Sequence, residues 1–168
     1  MGFGTLGMMA LLAADAPLTL ADIHIRDPFV LPVESEGQYY LYGTAWQGPA
    51  PRGFLCWSSS DLRTWSGPKV IFRDPDGYTS VNHWAPEVHV RNGKYYLFGT
   101  FWAGEGGPPR QTRVLVSDRP DGPFAFHSDG GVTPPEWFAL DGTLWEEDGR
   151  PFLVFCHEWV QIDDGTID

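Results

Sequence analysis

The sequence is short of basic residues. Its 168 residues include 11 Lys and Arg against 22 Asp and Glu, which gives a formal net charge of −11 at pH 7. Proteins that bind nucleic acids or anionic lipid surfaces depend on clustered positive charge. The composition therefore predicts neither a nucleic acid nor a membrane as a partner, and it favours a neutral one.

Cysteine and long apolar runs are also scarce. Cys56 and Cys156 are the two cysteines, and they stand in no metal-ligand spacing, so we expect free, buried thiols in preference to a disulfide. The apolar segment 1–16 has no Lys or Arg before its apolar part and is too short to span a bilayer. It is not a convincing signal peptide, and the compartment, cytoplasmic or secreted, stays open.

Glycine, proline and aromatic residues are abundant. Twenty glycines and fifteen prolines interrupt the chain too often for long helices, while aromatic residues make up 15% and hydrophobic residues 42% of the chain. The segments between these breakers are rich in Tyr, Phe, Trp and Val, which are typical of β-strands. We predict a globular all-β domain.

The chain repeats itself with a period of 56 residues. The stretch GQYYLYGT beginning at Gly37 returns as GKYYLFGT at Gly93 and, more weakly, as GRPFLVFC at Gly149. A second echo joins SSDLRTWSGP at 59–68 to VSDRPDGPF at 116–124. Each unit contains several short strands separated by turn residues, which predicts a four-stranded antiparallel meander.

Repeated meanders of this size are typical of the blades of a β-propeller, which pack against one another around a channel. A β-sandwich is the alternative, but regular sandwiches seldom repeat at this spacing. Closure of a propeller takes about four to eight blades, whereas this chain holds two blades and part of a third. We therefore expect residues 1–20 to be an N-terminal extension and residues 21–168 to be part of a propeller in a longer protein.

Acidic residues recur at the starts of the predicted blades. The sequences RDPFVL, WAPEVH and LDGTLW align so that Asp27, Ala85 and Asp141 coincide. The first strand of a propeller blade lines the axis, so the two aspartates would face one channel mouth. In the second blade Trp84 precedes the alanine, and Glu87 follows it on the same side of the strand. Asp-Pro and Asp-Gly are also ordinary turn sequences, but their agreement in register favours a shared function.

The position after each second strand continues this pattern. Trp46, Trp102 and Glu158 coincide in the 56-residue register. Aromatic faces complement the C–H faces of sugars, so we expect the tryptophans to form the wall of a sugar pocket and Glu158 to lie near the axis beside His157. A solvated loop acid is the alternative for Glu158, and a hydrogen-bonded structural histidine is the favoured alternative for His157 and His83.

Two carboxylates facing each other beside aromatic rings suit glycoside hydrolysis. The segments IRDPFV…YYLYGT, HWAPEVH…GKYYLFGTF and LDGTLWEEDGRPFLVF together resemble glycoside hydrolase family 43, from about Ile23 onward. The resemblance implies a five-bladed β-propeller and an inverting mechanism on arabinofuranosyl or xylosyl linkages of plant-type polysaccharides or oligosaccharides. It also implies that Asp27 is the general base and that Asp141 modulates the pKa of the acid.

The general acid is not evident in this sequence. In the family it is usually a Glu in a Glu-Gly-Pro motif of the next blade, and these 168 residues contain no such motif. The acid therefore lies beyond Asp168, which we favour, or Glu158 takes the role. Glu87 stands where many relatives have Asp. The substrate-binding candidates are Trp46, His83, Trp84, Glu87, Trp102 and His157.

We expect a carbohydrate substrate and no required cofactor. A calcium ion in the channel, which some relatives hold, is not encoded by any motif in this segment, and neither the oligomeric state nor the particular sugar can be read from it. The alternative function is a non-catalytic carbohydrate-binding propeller that retains the pocket but lacks a general acid. A protein-interaction propeller is disfavoured, because such a scaffold has no reason to place acids at the channel mouth.

Overall fold

The computed structural model describes residues 16–45, 53–74 and 82–158. Within these ranges the regular structure consists of β-strands and two short 3₁₀ helices, at Leu20–Asp22 and Glu34–Glu36. The strands are β1 Ile25–Val33, β2 Gln38–Ala45, β3 Gly53–Ser59, β4 Ser66–Arg73, β5 Asn82–Arg91, β6 Lys94–Trp102, β7 Gln111–Ser117, β8 Ala125–Phe126, β9 Ala139–Glu147 and β10 Arg150–His157.

The strands form three antiparallel sheets in chain order. The first sheet has the order β1-β2-β3-β4 and the second has the order β5-β6-β7-β8, while β9 pairs with β10. This confirms the predicted all-β class, and the first two repeats form the predicted four-stranded meander. We refer to the three sheets as blades one, two and three.

The glycines that mark the 56-residue repeat lie in the turns between the first two strands of each blade. Gly37 has φ 60°, and the pairs Asn92-Gly93 and Asp148-Gly149 have φ 49° and 73° and φ 50° and 72°. Two consecutive left-handed residues in a two-residue loop match the twist of an antiparallel hairpin, and Asn-Gly or Asp-Gly adopts this conformation most readily. The repeated glycines therefore set the register of each hairpin.

The main core lies between the first two blades. Its buried residues are Val33, Tyr40, Tyr42, Phe54, Cys56, Ile71, Phe72, Val88, Leu97, Phe101, Leu115 and Phe124. Backbone and side-chain hydrogen bonds join the same two blades: the Tyr42 hydroxyl donates to the Pro120 carbonyl at 2.7 Å, and the Phe124 N–H donates to the Ile71 carbonyl at 2.7 Å. Blades one and two therefore pack as one unit.

The first two repeats each hold a second glycine that lies against neighbouring atoms, Gly43 against β1 of its own blade and Gly99 against blade one. A Cβ at Gly43 would lie 2.5 Å from Ile25 Cδ1, and a Cβ at Gly99 would lie 2.6 Å from Phe54 Cζ. Both distances are too short for real atoms, so each position requires a residue without a side chain. The threonines that follow these glycines, Thr44 and Thr100, lie in the packed interior, at 6% and 0% exposure.

Blade three is more open than the other two. Trp145, Phe152 and Val154 expose 58%, 45% and 52% of their surface. An exposed apolar face of this kind is typical of a surface that packs against another element.

Both cysteines are free, as predicted, but only Cys56 is buried, because Cys156 lies on the exposed strand β10. No helix in the described parts of the chain is long and apolar enough to cross a membrane.

Candidate active site

The three blade starts share an unusual backbone conformation. Asp27, Ala85 and Asp141 have φ angles of 50°, 47° and 54°, in the left-handed region that residues other than glycine, Asn and Asp seldom adopt. At each of these points the strand pairing shifts register. A shift of this kind marks a β-bulge, which bends the strand and redirects a side chain.

The bends bring acidic side chains from all three blades into one cavity. This cavity has a volume of about 260 Å³ and is lined by Asp27, Pro28, Phe29, Ala85, Glu87 and Asp141. The structure thus brings together the two aspartates, the alanine that coincides with them and the glutamate that follows it on β5. Their catalytic roles stay predictions.

Threonine hydroxyls tie the starts of blades two and three to the preceding blade. The Thr44 hydroxyl donates to Asp27 Oδ2 at 3.1 Å, and Thr44 Oγ1 accepts the N–H of Ala85 at 2.9 Å. One repeat later, Thr100 Oγ1 accepts the N–H of Asp141 at 2.9 Å. The cavity is therefore held in shape by hydrogen bonds that cross both blade interfaces.

Asp141 and Glu87 have pKa values that are shifted in opposite directions. Burial, followed by the negative charges of Asp27, Glu87 and Glu158, raises the pKa of Asp141 above its ordinary value. A hydrogen bond with His89 lowers the pKa of Glu87, against the opposing effect of burial. The surroundings therefore favour the protonated form of Asp141 and the anionic form of Glu87.

His89 is hydrogen-bonded to Glu87, one of the acids that line the cavity. Its Nε2 atom lies 3.4 Å from Glu87 Oε2 and 3.1 Å from Thr143 Oγ1, which belongs to blade three. The His89 ring also packs against Phe29 of blade one, with ring centres 5.7 Å apart. His89 therefore contacts all three blades, although nothing in the repeat pattern singles it out.

Glu158 is paired with an arginine. Arg110 Nη1 donates to Glu158 Oε1 at 2.7 Å, and the Glu158 N–H donates to the Phe138 carbonyl at 2.8 Å. A general acid has to begin its reaction carrying a proton, whereas this oxygen accepts a hydrogen bond from a guanidinium. Glu158 does not line the 260 Å³ cavity, and its geometry favours a structural ion pair over the role of acid.

The predicted aromatic wall is present in part. The rings of Trp84 and Trp102 lie 5.8 Å apart at an angle of 40°, and the Arg110 guanidinium lies 4.8 Å from the centre of the Trp102 ring. Trp102 and Arg110 also line a second cavity, of about 320 Å³, beside the glycine-rich loop 104–107. Trp46 lies outside the described residues.

The two candidate histidines take structural positions. The side chain of His83 is 5% exposed, and its Nε2 atom lies 3.4 Å from Asp74 Oδ2. Its ring makes an edge contact with Phe101 at 4.9 Å, within the aromatic core. This position fits the structural alternative for His83, and substrate binding by His83 stays a prediction. His157 stacks on Trp137 at 4.2 Å and 8°, which also fits the structural alternative.

A metal site does not emerge from the described side chains. Among residues 16–45, 53–74 and 82–158, no group of three or more His, Cys, Asp or Glu is arranged to hold a metal ion. These described side chains alone therefore do not supply the ligand set of a calcium site. The sequence reasoning missed Thr44, His89 and Arg110. Of these, Thr44 carried a signal, because it recurs as Thr100 in the repeated motif.

Known proteins with similar sequences are named as arabinanases and arabinofuranosidases. Residues 20–167 match Glycosyl hydrolases family 43. The extracellular endo-alpha-(1->5)-L-arabinanase 1 of Bacillus subtilis (strain 168) is 26% identical over 156 residues, which cover 86% of this chain and 46% of that protein. The extracellular exo-alpha-(1->5)-L-arabinofuranosidase of Streptomyces chartreusis is 30% identical over 152 residues, which cover 87% and 43%.

The fold is shared with solved structures of the same kind. The crystal structure of an endo-arabinase from Bacteroides thetaiotaomicron VPI-5482 superimposes with a TM-score of 0.74 and 35% sequence identity, over 86% of this chain and 49% of that one. The chain thus spans a little under half the length of the relatives it matches. It belongs to glycosyl hydrolase family 43 and forms about two and a half to three blades of a five-bladed β-propeller.

Proposed function

We propose that the whole protein hydrolyses arabinofuranosyl or xylosyl linkages with inversion of configuration at the anomeric carbon. The observation that carries this proposal is the pair of carboxylates, Asp27 and Asp141, which two blades present to one cavity on the same backbone bend. The relatives named above act on α-(1→5)-linked arabinan, by their names. Arabinan is therefore the favoured substrate, and xylan is the second.

In this proposal Asp27 is the general base. It takes a proton from a water molecule that attacks the anomeric carbon, while the bond to the leaving sugar oxygen breaks on the opposite face of the ring. The Thr44 hydroxyl donates a hydrogen bond to Oδ2 of Asp27. The other oxygen, Oδ1, then receives the proton of the attacking water. An inverting enzyme keeps its acid about 6.5–9.5 Å from its base to make room for the water. We assign the acid to a later blade.

Asp141 and Glu87 serve the reaction without transferring its protons. Asp141 stands near the base and near other acids, as the charges that raise its pKa show. Its own charge acts back on its neighbours, so it raises the pKa of the general acid and keeps that acid protonated at working pH. Glu87 is stabilised as an anion by His89 and accepts hydrogen bonds from sugar hydroxyls, with Trp84 as part of the pocket wall.

A second candidate function is sugar binding without hydrolysis. It is favoured by one observation, which is that Glu158, the acid that aligns with the pocket tryptophans, is held in an ion pair with Arg110. A propeller with this pocket and no other acid would retain an oligosaccharide and release it unchanged. The two functions differ in whether a later blade supplies a carboxyl on the leaving-group side of the cavity.

The test is a product analysis with the full-length protein. Debranched arabinan, arabino-oligosaccharides and xylo-oligosaccharides are incubated with the protein, and ¹H NMR follows the first products formed. We expect hydrolysis of the arabinose-containing substrates and an initial product with the opposite anomeric configuration. Binding of the oligosaccharides without any product would support the second candidate, and an initial product of retained configuration would contradict the inverting mechanism.

A further inference from the structure

We infer that Thr44 is a positioning residue that aims the carboxylate of Asp27 from the interface between blades one and two. The inference rests on the proposed function, because it assigns the general base to Asp27. Thr44 is 6% exposed and lies near the end of β2. It would therefore act through Asp27, with no contact of its own to the substrate.

The hydrogen-bond inventory of Thr44 fixes the direction of its bonds. A hydroxyl has one proton to donate and two lone pairs to accept with. The N–H of Ala85 donates to Thr44 Oγ1 at 2.9 Å, so one lone pair is occupied and the proton stays available. Asp27 Oδ2 lies 3.1 Å from the same oxygen, and an ionised carboxylate can only accept. The hydroxyl proton is therefore directed at Asp27.

This geometry ties the base to two blades at once. Asp27 belongs to blade one, whereas Ala85 is the bent residue at the start of blade two. The oxygen of Thr44 is held by the backbone of blade two and in turn holds one oxygen of the base. The other carboxylate oxygen is then fixed in direction relative to both blades that line the cavity.

The second repeat supplies a matched control. Thr100 occupies the same repeat position and accepts the N–H of Asp141 at 2.9 Å. Ala85 stands in blade two where Asp27 stands in blade one, so blade two offers Thr100 no carboxylate at this position. Thr100 thus makes the same link to the next blade without the contact to a base. A comparison of the two threonines separates the support of the fold from the orientation of Asp27.

The test compares Thr44→Val, Thr44→Ser and Thr100→Val in the full-length protein. Misplacement of a reacting group by about 1 Å can cost about 10²-fold in rate, so we expect Thr44→Val to lower kcat by roughly 10- to 100-fold. KM should change much less, because the substrate contacts remain. Thr44→Ser keeps the hydroxyl and should stay near the wild-type kcat, and Thr100→Val should lose much less kcat than Thr44→Val.

Amide hydrogen exchange and crystal structures of the variants provide readouts without activity. Exchange at the Ala85 amide should accelerate in Thr44→Val, and exchange at the Asp141 amide should accelerate in Thr100→Val. The Asp27 carboxylate should rotate in Thr44→Val and keep its orientation in Thr44→Ser and Thr100→Val. An unrotated Asp27 in Thr44→Val, or equal losses of kcat in the two valine variants, would overturn the inference. If the wild type hydrolyses none of the substrates, the proposed function fails, and the orientation of Asp27 still decides the role of Thr44.

Discussion

Asp27 and Asp141 occupy the same position in two blades and line the same cavity, yet their surroundings differ. Both residues have left-handed backbone angles, φ 50° and 54°. The carboxylate of Asp27 accepts a hydrogen bond from the Thr44 hydroxyl. Burial and three acidic neighbours raise the pKa of Asp141. The register of the repeat thus determines where an acid stands, whereas the groups around it determine its hydrogen bonds and the charges it faces.

Ala85 shows that the bend itself belongs to the fold. It holds φ 47° at the equivalent point of blade two, without a carboxylate to place. A left-handed residue with a side chain costs about 1–2 kcal/mol, and the Thr44 hydroxyl accepts its N–H in compensation. The bend therefore occurs without an acid, and in the proposed function the acids of blades one and three are additions to a structural frame.

The largest effect is expected from replacing the proposed base. General-base catalysis contributes about 10²–10⁴-fold, so Asp27→Asn should lower the turnover of the full-length protein by that order. The amide is nearly isosteric with the carboxylate, so oligosaccharide binding and the unfolding midpoint should stay close to wild type. Steady-state kinetics and calorimetric titration measure the two quantities. Full turnover in Asp27→Asn would remove Asp27 from the mechanism.

Asp141→Asn should change the pH dependence more than the maximal rate. Loss of a negative neighbour lowers the pKa of the general acid, so the acid deprotonates earlier as the pH rises. The basic limb of the kcat/KM profile should move to lower pH by about one unit. The same profile recorded for Glu87→Gln is a control that removes another cavity charge. An unchanged basic limb in Asp141→Asn would contradict the tuning role.

A smaller effect is expected from replacing Glu158. If Glu158 is a structural partner of Arg110, Glu158→Gln should keep turnover within about threefold of wild type, because no proton passes through it. The Arg110→Lys variant, which keeps the charge but loses the planar guanidinium, is its matched control. A loss of about 10²-fold or more in Glu158→Gln alone would make Glu158 the acid and reverse our preference for a later blade.

The smallest effect is on stability, and it should have opposite signs at two cavity acids. The folded state raises the pKa of Asp141, so its charged form is disfavoured by folding and stability is lost as the pH rises above about 3.8. The folded state lowers the pKa of Glu87, so its contribution is present above about 4.5 and lost as the pH falls.

At pH 7, Asp141→Asn should therefore be more stable than the wild type and Glu87→Gln less stable. Both differences should shrink towards zero at a pH below the titration of either group. Denaturant midpoints at the two pH values measure them. The same sign for both variants at neutral pH would show that the charges of the cavity do not act as described.

The repeat made the blades and the site acids predictable from sequence. The even spacing of Gly37, Gly93 and Gly149 located the first hairpin of each blade, because each glycine stands in a turn that needs a positive φ. The alignment of Asp27 with Asp141 followed from the same spacing. Both features depend on local backbone conformation, which a repeated sequence records directly.

Contacts between distant side chains were not predictable in this way. His83 and Glu158 have sequence neighbours that suit a sugar site, but their partners, Asp74 and Arg110, come from other segments of the chain. The hydroxyl of Thr44 reaches Ala85, 41 residues away, across a blade interface. Such pairs come together only when one blade packs on the next, and no sequence motif marks these contacts.

The most direct test of the difference between the two aspartates is chemical rescue in the full-length protein. Asp27→Ala and Asp141→Ala are assayed on an aryl arabinofuranoside with sodium azide, a nucleophile that needs no general base. Azide in the space left by Asp27 should attack the anomeric carbon, expel the aryl alcohol and give a glycosyl azide of inverted configuration, identified by NMR. Asp141→Ala should give no glycosyl azide, because its base is intact and water remains the nucleophile. A glycosyl azide from Asp141→Ala and none from Asp27→Ala would contradict the assignment of the base.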